Sequence, residues 1–233
     1  VVAESVEESM SEALLETVEA GAREHARASV IWLHGLGADG YDFQPIVPEL
    51  RLPADASVRF VFPHAPVRPV TLNGGMHMRA WYDLYGLGEG FPQDVDGLRQ
   101  SAGQVRALVR RETERGVDAR RIVLAGFSQG GAVALYAGLR HPEPLAGIMG
   151  LSTYLPDHRS LADEGSDANA ETPIFLAHGS RDPVLPFDLG DRSRGLLEDA
   201  GYPVEWHAYA MEHQVCLEEI GDVAAWLKRV LEL

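Results

Sequence analysis

Three side chains, far apart in the chain, have the types that acyl transfer needs: a serine, an aspartate and a histidine, in that order. The serine is Ser128, within Gly126-Phe127-Ser128-Gln129-Gly130-Gly131. An apolar run at residues 121–125 precedes it, and an alanine-rich helical stretch at 132–140 follows. A strand that turns sharply into a helix holds a serine in a strained conformation and leaves room only for glycine beside it. The helix that opens there also points unpaired N–H groups at negative charge formed next to the serine. In a chain with 24 glycines the bare Gly-x-Ser-x-Gly pattern is weak, so its setting between strand and helix carries the weight.

A serine hydroxyl is a poor nucleophile at neutral pH and needs a base within hydrogen-bond reach, itself oriented by a carboxylate. Asp182 follows the apolar run 173–178, in Ala177-His178-Gly179-Ser180-Arg181-Asp182-Pro183. His213 follows the next run, 204–209, in Tyr209-Ala210-Met211-Glu212-His213. Parallel strands would bring both loops to the edge of the sheet where Ser128 sits. The competitors suit the task less well. Asp157 and Asp163 lie in a polar stretch, Asp188 and Asp191 read as first-turn helix residues, and Asp199 is near a helix end. His207 alternates with Val204 and Trp206 along a strand, His141 precedes Pro142, and His178 comes before Asp182. The plain alternative for the chosen pair is a loop aspartate and a surface histidine.

The oxyanion of acyl transfer needs two preorganised donors. The backbone N–H of Gln129, next to the nucleophile, is one candidate. The N–H of Leu36, in His34-Gly35-Leu36-Gly37-Ala38, is the other, against the alternative of a mere glycine-rich turn. His34 reads as a structural hydrogen-bonding residue.

The elements that must position these groups alternate in type. Apolar runs at 28–34, 57–62, 121–126, 146–151, 173–178 and 204–209 read as buried strands. Helical patterns separate most of them, including 94–115, stopped by Gly116, and 214–231. This is an α/β pattern: a mostly parallel sheet covered by helices on both faces. Residues 70–78, with Asn73-Gly74 at the centre, read as a hairpin excursion whose two central residues take positive φ. Residues 155–172 form a polar loop. Acidic residues 1–12 read as a flexible tail, and 13–233 as one domain.

Composition narrows the function classes. A net charge of −15 argues against nucleic acid and anionic membrane surfaces as partners. One cysteine, Cys216, excludes an internal disulfide and makes a reducing cytoplasm the expected location. No apolar run reaches the roughly 18 to 20 residues that span a bilayer. No His-Glu-x-x-His or paired-cysteine spacing marks a metal site, and no cofactor is expected.

With these residues in place, the sequence resembles the carboxylesterases of bacteria that are similar to acyl-protein thioesterases and lysophospholipases, within the α/β hydrolases. The likeness runs from about residue 29 to 231. It rests on Leu33-His34-Gly35-Leu36-Gly37-Ala38, Pro63-His64-Ala65-Pro66, Asn73-Gly74-Gly75, Ala80-Trp81-Tyr82-Asp83, the Ser128 segment, Leu151-Ser152-Thr153-Tyr154-Leu155-Pro156, the Asp182 segment and residues 211–216. The resemblance implies an α/β-hydrolase fold with Ser128 as nucleophile, Asp182 as orienting acid and His213 as base. It also implies Leu36 and Gln129 as oxyanion donors. Ala210 and Glu212 depart from the family pattern, where proline and glycine are common.

The expected activity is hydrolysis of short- to medium-chain carboxylic esters through an acyl-serine. The alternative is an acyl-protein thioesterase or lysophospholipase acting on long chains, and the remote one a non-catalytic binding protein on the same scaffold. Leu72, Met76, Trp81 and Leu185 are the candidate walls of an apolar acyl trough, with packing of the hairpin as the plain alternative. Trp81→Ala is expected to alter chain-length preference. An apolar rim also suits a homodimer that shields the trough. Because a histidine must be neutral to act as base, turnover is expected to fall as pH drops through about 6 to 7. A pH profile of ester hydrolysis checks this, and a rate that stays flat down to about pH 5 would contradict it.

Overall fold

A computed structural model describes residues 14–87 and 91–233. The reading of 1–12 as a tail therefore lies outside the described residues. The described residues form nine strands: β1 (Thr17–Gly21), β2 (Ala28–Leu33), β3 (Val58–Pro63), β4 (Val67–Val70), β5 (Met76–Arg79), β6 (Ile122–Phe127), β7 (Gly147–Leu151), β8 (Ile174–Gly179) and β9 (Val204–Tyr209). The longer helices among them are α1 (Val95–Glu114), α2 (Gln129–Leu139), α3 (Phe187–Asp199) and α4 (Leu217–Val230).

Seven strands form one sheet in the order β1-β3-β2-β6-β7-β8-β9. All neighbours are parallel except β1, which runs antiparallel to β3 at the edge. This is the mostly parallel, helix-covered sheet of the α/β-hydrolase fold. Each apolar run expected to be a strand is one, within a residue at either end. Those runs are continuous because both faces of the strands are buried: Ile31 and Leu33 of β2 pack with α1 and α2, while Val30 and Trp32 pack on the opposite side, whose cluster includes α4. A third cluster joins α2 to β7, β8 and α3 through Leu135, Ile148, Leu176 and Leu197.

One strand escaped the sequence reading, and the expected hairpin has a different turn. β1 is an edge strand of half-exposed residues with no buried run to mark it. In the hairpin β4–β5, positive φ falls on Gly74 and Gly75, not on Asn73 and Gly74. Residues 71–73 form a 3₁₀ turn first, so the connection is longer than the two-residue turn that Asn-Gly suggests. Helix α1 is capped by Asp94, whose side chain accepts from the N–H of Gly97 at 3.0 Å.

Away from the site, Glu219 in the first turn of α4 is fully buried with no well-aligned hydrogen bond to its carboxylate among the described residues, and the nearby Cys216 N–H offsets its burial only in part. Burial pushes its carboxyl up from 4.5 to about 8. Between those values the folded chain holds a proton that the unfolded chain releases. Stability from this group is thus fully present below about 4.5 and is lost as pH rises through about 8. Relative to wild type, Glu219→Gln should raise stability at pH 8 over that at pH 5 by on the order of 2 kcal/mol. Denaturation midpoints at the two pH values measure it, and an identical shift at both would count against the buried acid.

Candidate active site

Ser128 lies between the end of β6 and the start of α2, with φ 52° and ψ −120°. A non-glycine residue in that region costs about 1 to 3 kcal/mol, so the surroundings must hold it there. Its N–H donates to the Leu151 carbonyl at 2.8 Å, and its own carbonyl accepts from Thr153 Oγ1 at 2.7 Å. The flanking glycines have steric causes. A Cβ at Gly126 would stand 2.3 Å from the Gly130 backbone, and one at Gly130 would stand 2.4 Å from the Leu33 carbonyl oxygen.

The loops after β8 and β9 reach the same edge. His213 Nε2 lies 2.9 Å from Ser128 Oγ, and His213 Nδ1 lies 2.6 Å from Asp182 Oδ2. Asp182 is fixed by its own turn: Oδ1 accepts from the N–H groups of Val184 and Leu185 at 2.8 and 2.9 Å. The His213 ring rests against Phe127, centroids 4.8 Å apart. The structure thus brings Ser128, Asp182 and His213 into one hydrogen-bonded line. Of the competing histidines only His178 lies at the site, its Nε2 3.6 Å from Asp182 Oδ2; His207, by contrast, is bonded to Glu205 on β9 at 3.0 Å. Glu212 is exposed.

Leu36 and Gln129 line the same cavity as Ser128, and their backbone N–H groups have no backbone acceptor among the described residues. The loop that carries Leu36 is held from both sides. His34 donates from Nδ1 to the Gly35 carbonyl at 2.7 Å and accepts at Nε2 from the Ala65 N–H at 3.1 Å. Burial lowers its pKa to about 4, which keeps the ring neutral and able to play both parts.

Trp81 is the principal correction to the sequence reading. It is fully buried and lines no part of the cavity at Ser128, because its ring packs on His34 and its Nε1–H donates to the His34 carbonyl at 2.9 Å. Its backbone N–H donates to Gln129 Oε1, and Gln129 Nε2 donates to the Tyr82 carbonyl. Trp81 therefore ties the Leu36 loop to the start of α2. Met76 is also outside the cavity: on β5 it points to solvent, 64% exposed. Leu72 and Leu185 do line it, together with Leu36, Leu84, Leu87 and Val184. Its volume is about 330 Å³. A second cavity of about 430 Å³ adjoins it and shares Tyr82, Leu84, Leu87, Tyr154 and Leu185 as its wall.

One histidine that the sequence offers only as a rival base has a clear part in this arrangement. His178, at the end of β8, is fully buried, and its Nε2–H donates to the Leu185 carbonyl at 2.8 Å. It thereby anchors the residue whose N–H binds Asp182. Gly190 of α3 makes room for the ring, since a Cβ there would lie 2.4 Å from His178 Nδ1. Its place in the Ala177–Asp182 motif was the available hint; its partner, seven residues on, was not readable.

A parallel sheet with a strained serine on the strand-to-helix turn defines an α/β hydrolase. The chain belongs to the Phospholipase/Carboxylesterase family, whose profile matches residues 15–231, and it is accordingly a hydrolase acting on esters. It is 42% identical over 206 residues to acyl-protein thioesterase 1 of Yarrowia lipolytica, covering 86% of this chain and 91% of that protein. It is 38% identical to acyl-protein thioesterase 1 of Gibberella zeae over 88% and 91% of the two chains. Among solved structures, Arabidopsis thaliana SOBER1 superposes with a TM-score of 0.84 at 32% identity, over 88% of this chain and all of that one. Zea mays acyl-protein thioesterase 2 gives 0.83 at 31%, over 93% and 99%. These relatives come from fungi and plants, and it is the family, not a bacterial subgroup of it, that they show.

Because Trp81 supports the Leu36 loop and touches no acyl chain, Trp81→Phe is expected to lower kcat/KM about fivefold to tenfold, by a similar factor for acetyl, butyryl and octanoyl esters. A change confined to one chain length would return Trp81 to the trough.

Proposed function

We propose that this protein is an acyl thioesterase and esterase that works through an acyl-serine, with Ser128 as nucleophile, His213 as base and Asp182 as the orienting acid. The observation that carries the reading is the hydrogen-bonded line from Asp182 through His213 to Ser128 Oγ, ending on a strained serine. His213 takes the Ser128 proton as Oγ attacks the carbonyl carbon. The oxyanion that forms is met by the N–H groups of Leu36 and Gln129, a pair of donors worth about 3 kcal/mol each by analogy with other such sites. His213 then hands the proton to the departing thiolate or alkoxide. In the second step it takes a proton from water, which attacks the acyl-enzyme, and returns that proton to Ser128.

The acyl-protein thioesterase relatives favour long-chain thioesters, the alternative weighed in the sequence reading, over short-chain esters as the main substrates. The apolar side chains of Leu36, Leu72, Leu84, Leu87, Val184 and Leu185 around Ser128 suit an acyl chain. One observation keeps the short- to medium-chain carboxylesterase as a second reading: the cavity at Ser128 is about 330 Å³, near the lower end of the usual range for small-molecule sites, roughly 300 to 1,000 Å³. Long chains then require the adjoining cavity beyond the shared wall. No helix among the described residues is long and apolar enough to cross a membrane; a cytoplasmic location and a homodimer sheltering the apolar rim are part of this proposal, supported by the lone Cys216 and by exposed Leu72 and Val184.

Labelling with a fluorophosphonate probe, together with turnover of acyl thioesters and p-nitrophenyl esters from two to sixteen carbons, tests the reading. Labelling is expected on Ser128, lost in Ser128→Ala along with at least a thousandfold of turnover, on the order seen for other triad serines. Activity that rises toward palmitoyl thioesters supports the main reading. A maximum at short esters supports the second, and absence of labelling would leave a non-catalytic binding protein.

A further inference from the structure

Tyr82 and Tyr154 are 72 residues apart in sequence, yet their hydroxyl oxygens lie 2.7 Å from each other. Such a pair shares a single hydrogen bond: one O–H donates and the other oxygen accepts. Two hydroxyls carry two protons, so the accepting phenol retains an O–H. Neither oxygen has a further hydrogen bond among the described residues. The closest candidate by charge, Asp94, is already engaged, its two oxygens accepting from the backbone N–H groups of Asp83 and Gly97. Tyr82 is 1% exposed, and both rings form part of the wall shared by the cavity at Ser128 and the adjoining one. Burial raises both phenols above their ordinary range, so each remains a proton donor at working pH.

This places a hydrogen-bond donor with no acceptor among the described residues in a wall whose other side chains are Leu84, Leu87 and Leu185. We propose that the spare O–H of the Tyr82–Tyr154 pair donates to an oxygen carried on the acyl chain of the substrate, so that acyl groups bearing a ketone or ether oxygen are favoured over saturated ones. The inference rests on the reading of Ser128 as nucleophile and deepens it by naming the acyl class. A saturated chain laid against this wall buries the donor unpaired. A chain with an acceptor at the matching carbon satisfies it and displaces water without losing a hydrogen bond. Rejection of the saturated chain contributes as much as attraction for the oxygenated one, since an unpaired buried donor is the costlier state.

The test compares p-nitrophenyl hexanoate with its 4-oxo and 5-oxo analogues, each kcat/KM divided by the rate of spontaneous hydrolysis of the same ester. The ketone hardly changes the size of the chain, so the ratio reports recognition. Wild type is expected to favour at least one oxo ester by about tenfold. Each single variant, Tyr82→Phe or Tyr154→Phe, keeps one O–H but loses the partner that orients it, and should lower the ratio. The double variant removes both donors and should bring the ratio to about one. A wild-type ratio near one overturns the proposal, as does a ratio that survives unchanged in the double variant. If the double variant does not fold, as judged by circular dichroism, an unchanged ratio in both single variants overturns it equally. Wild type that hydrolyses none of the three esters would instead count against the hydrolase mechanism itself.

Discussion

The site depends on one constraint: Ser128 must sit at φ 52° between the last residue of β6 and the first of α2. That conformation lifts the hydroxyl clear of the sheet and sets the Gln129 N–H beside it. It persists because its own backbone N–H and carbonyl are bonded to the β7 edge, at Leu151 and Thr153. The absence of side chains at Gly126 and Gly130 lets helix and strands close up behind it. The energetic cost of the strained residue is met by packing on both faces of the sheet, where α2 is buried along its whole length.

The other two members are held differently. Asp182 and His213 come from loops, which are ordinarily the mobile parts of a fold. Here the Asp182 loop is cross-braced: two of its N–H groups bind the carboxylate, and His178 holds the carbonyl of Leu185, one of those two residues. The Leu36 loop is braced in the same manner by His34 and Trp81. Burial keeps His34 neutral and pushes the His178 pKa down as well, so both braces use uncharged imidazoles with a donor on one nitrogen. A charged side chain in either position would carry the cost of burying a cation.

The parallel strands were legible in sequence because residues buried on both faces leave unbroken apolar runs, and the elbow was legible because glycine is sterically compulsory at Gly126 and Gly130. Asp182 and His213 could be placed because parallel strands carry their following loops to a common edge. What stayed hidden depends on contacts between distant segments. β1 has only one partner strand and no buried run. Trp81, an apolar residue beside the hairpin, reads as well for a trough wall as for a brace, and only its Nε1–H bond to His34 separates the two. Tyr82 and Tyr154 meet only in the folded chain. Met76 failed because it stands at the turn end of β5, 64% exposed, while Met78 on the same face is half-buried against the core.

Leu36 and Leu185 each have two separate employments. The Leu185 amide binds the Asp182 carboxylate and the Leu36 amide is the proposed oxyanion donor, while both residues line the cavity that would hold the acyl group. Every amino acid except proline carries that amide proton. Substitution at either position can therefore reshape the wall while the polar framework stays in place, provided that the new side chain keeps the loop's course. In a lineage of such enzymes, substrate range is free to drift at these two positions over generations under neutral or shifting selection, with proline as the one replacement that the chemistry forbids.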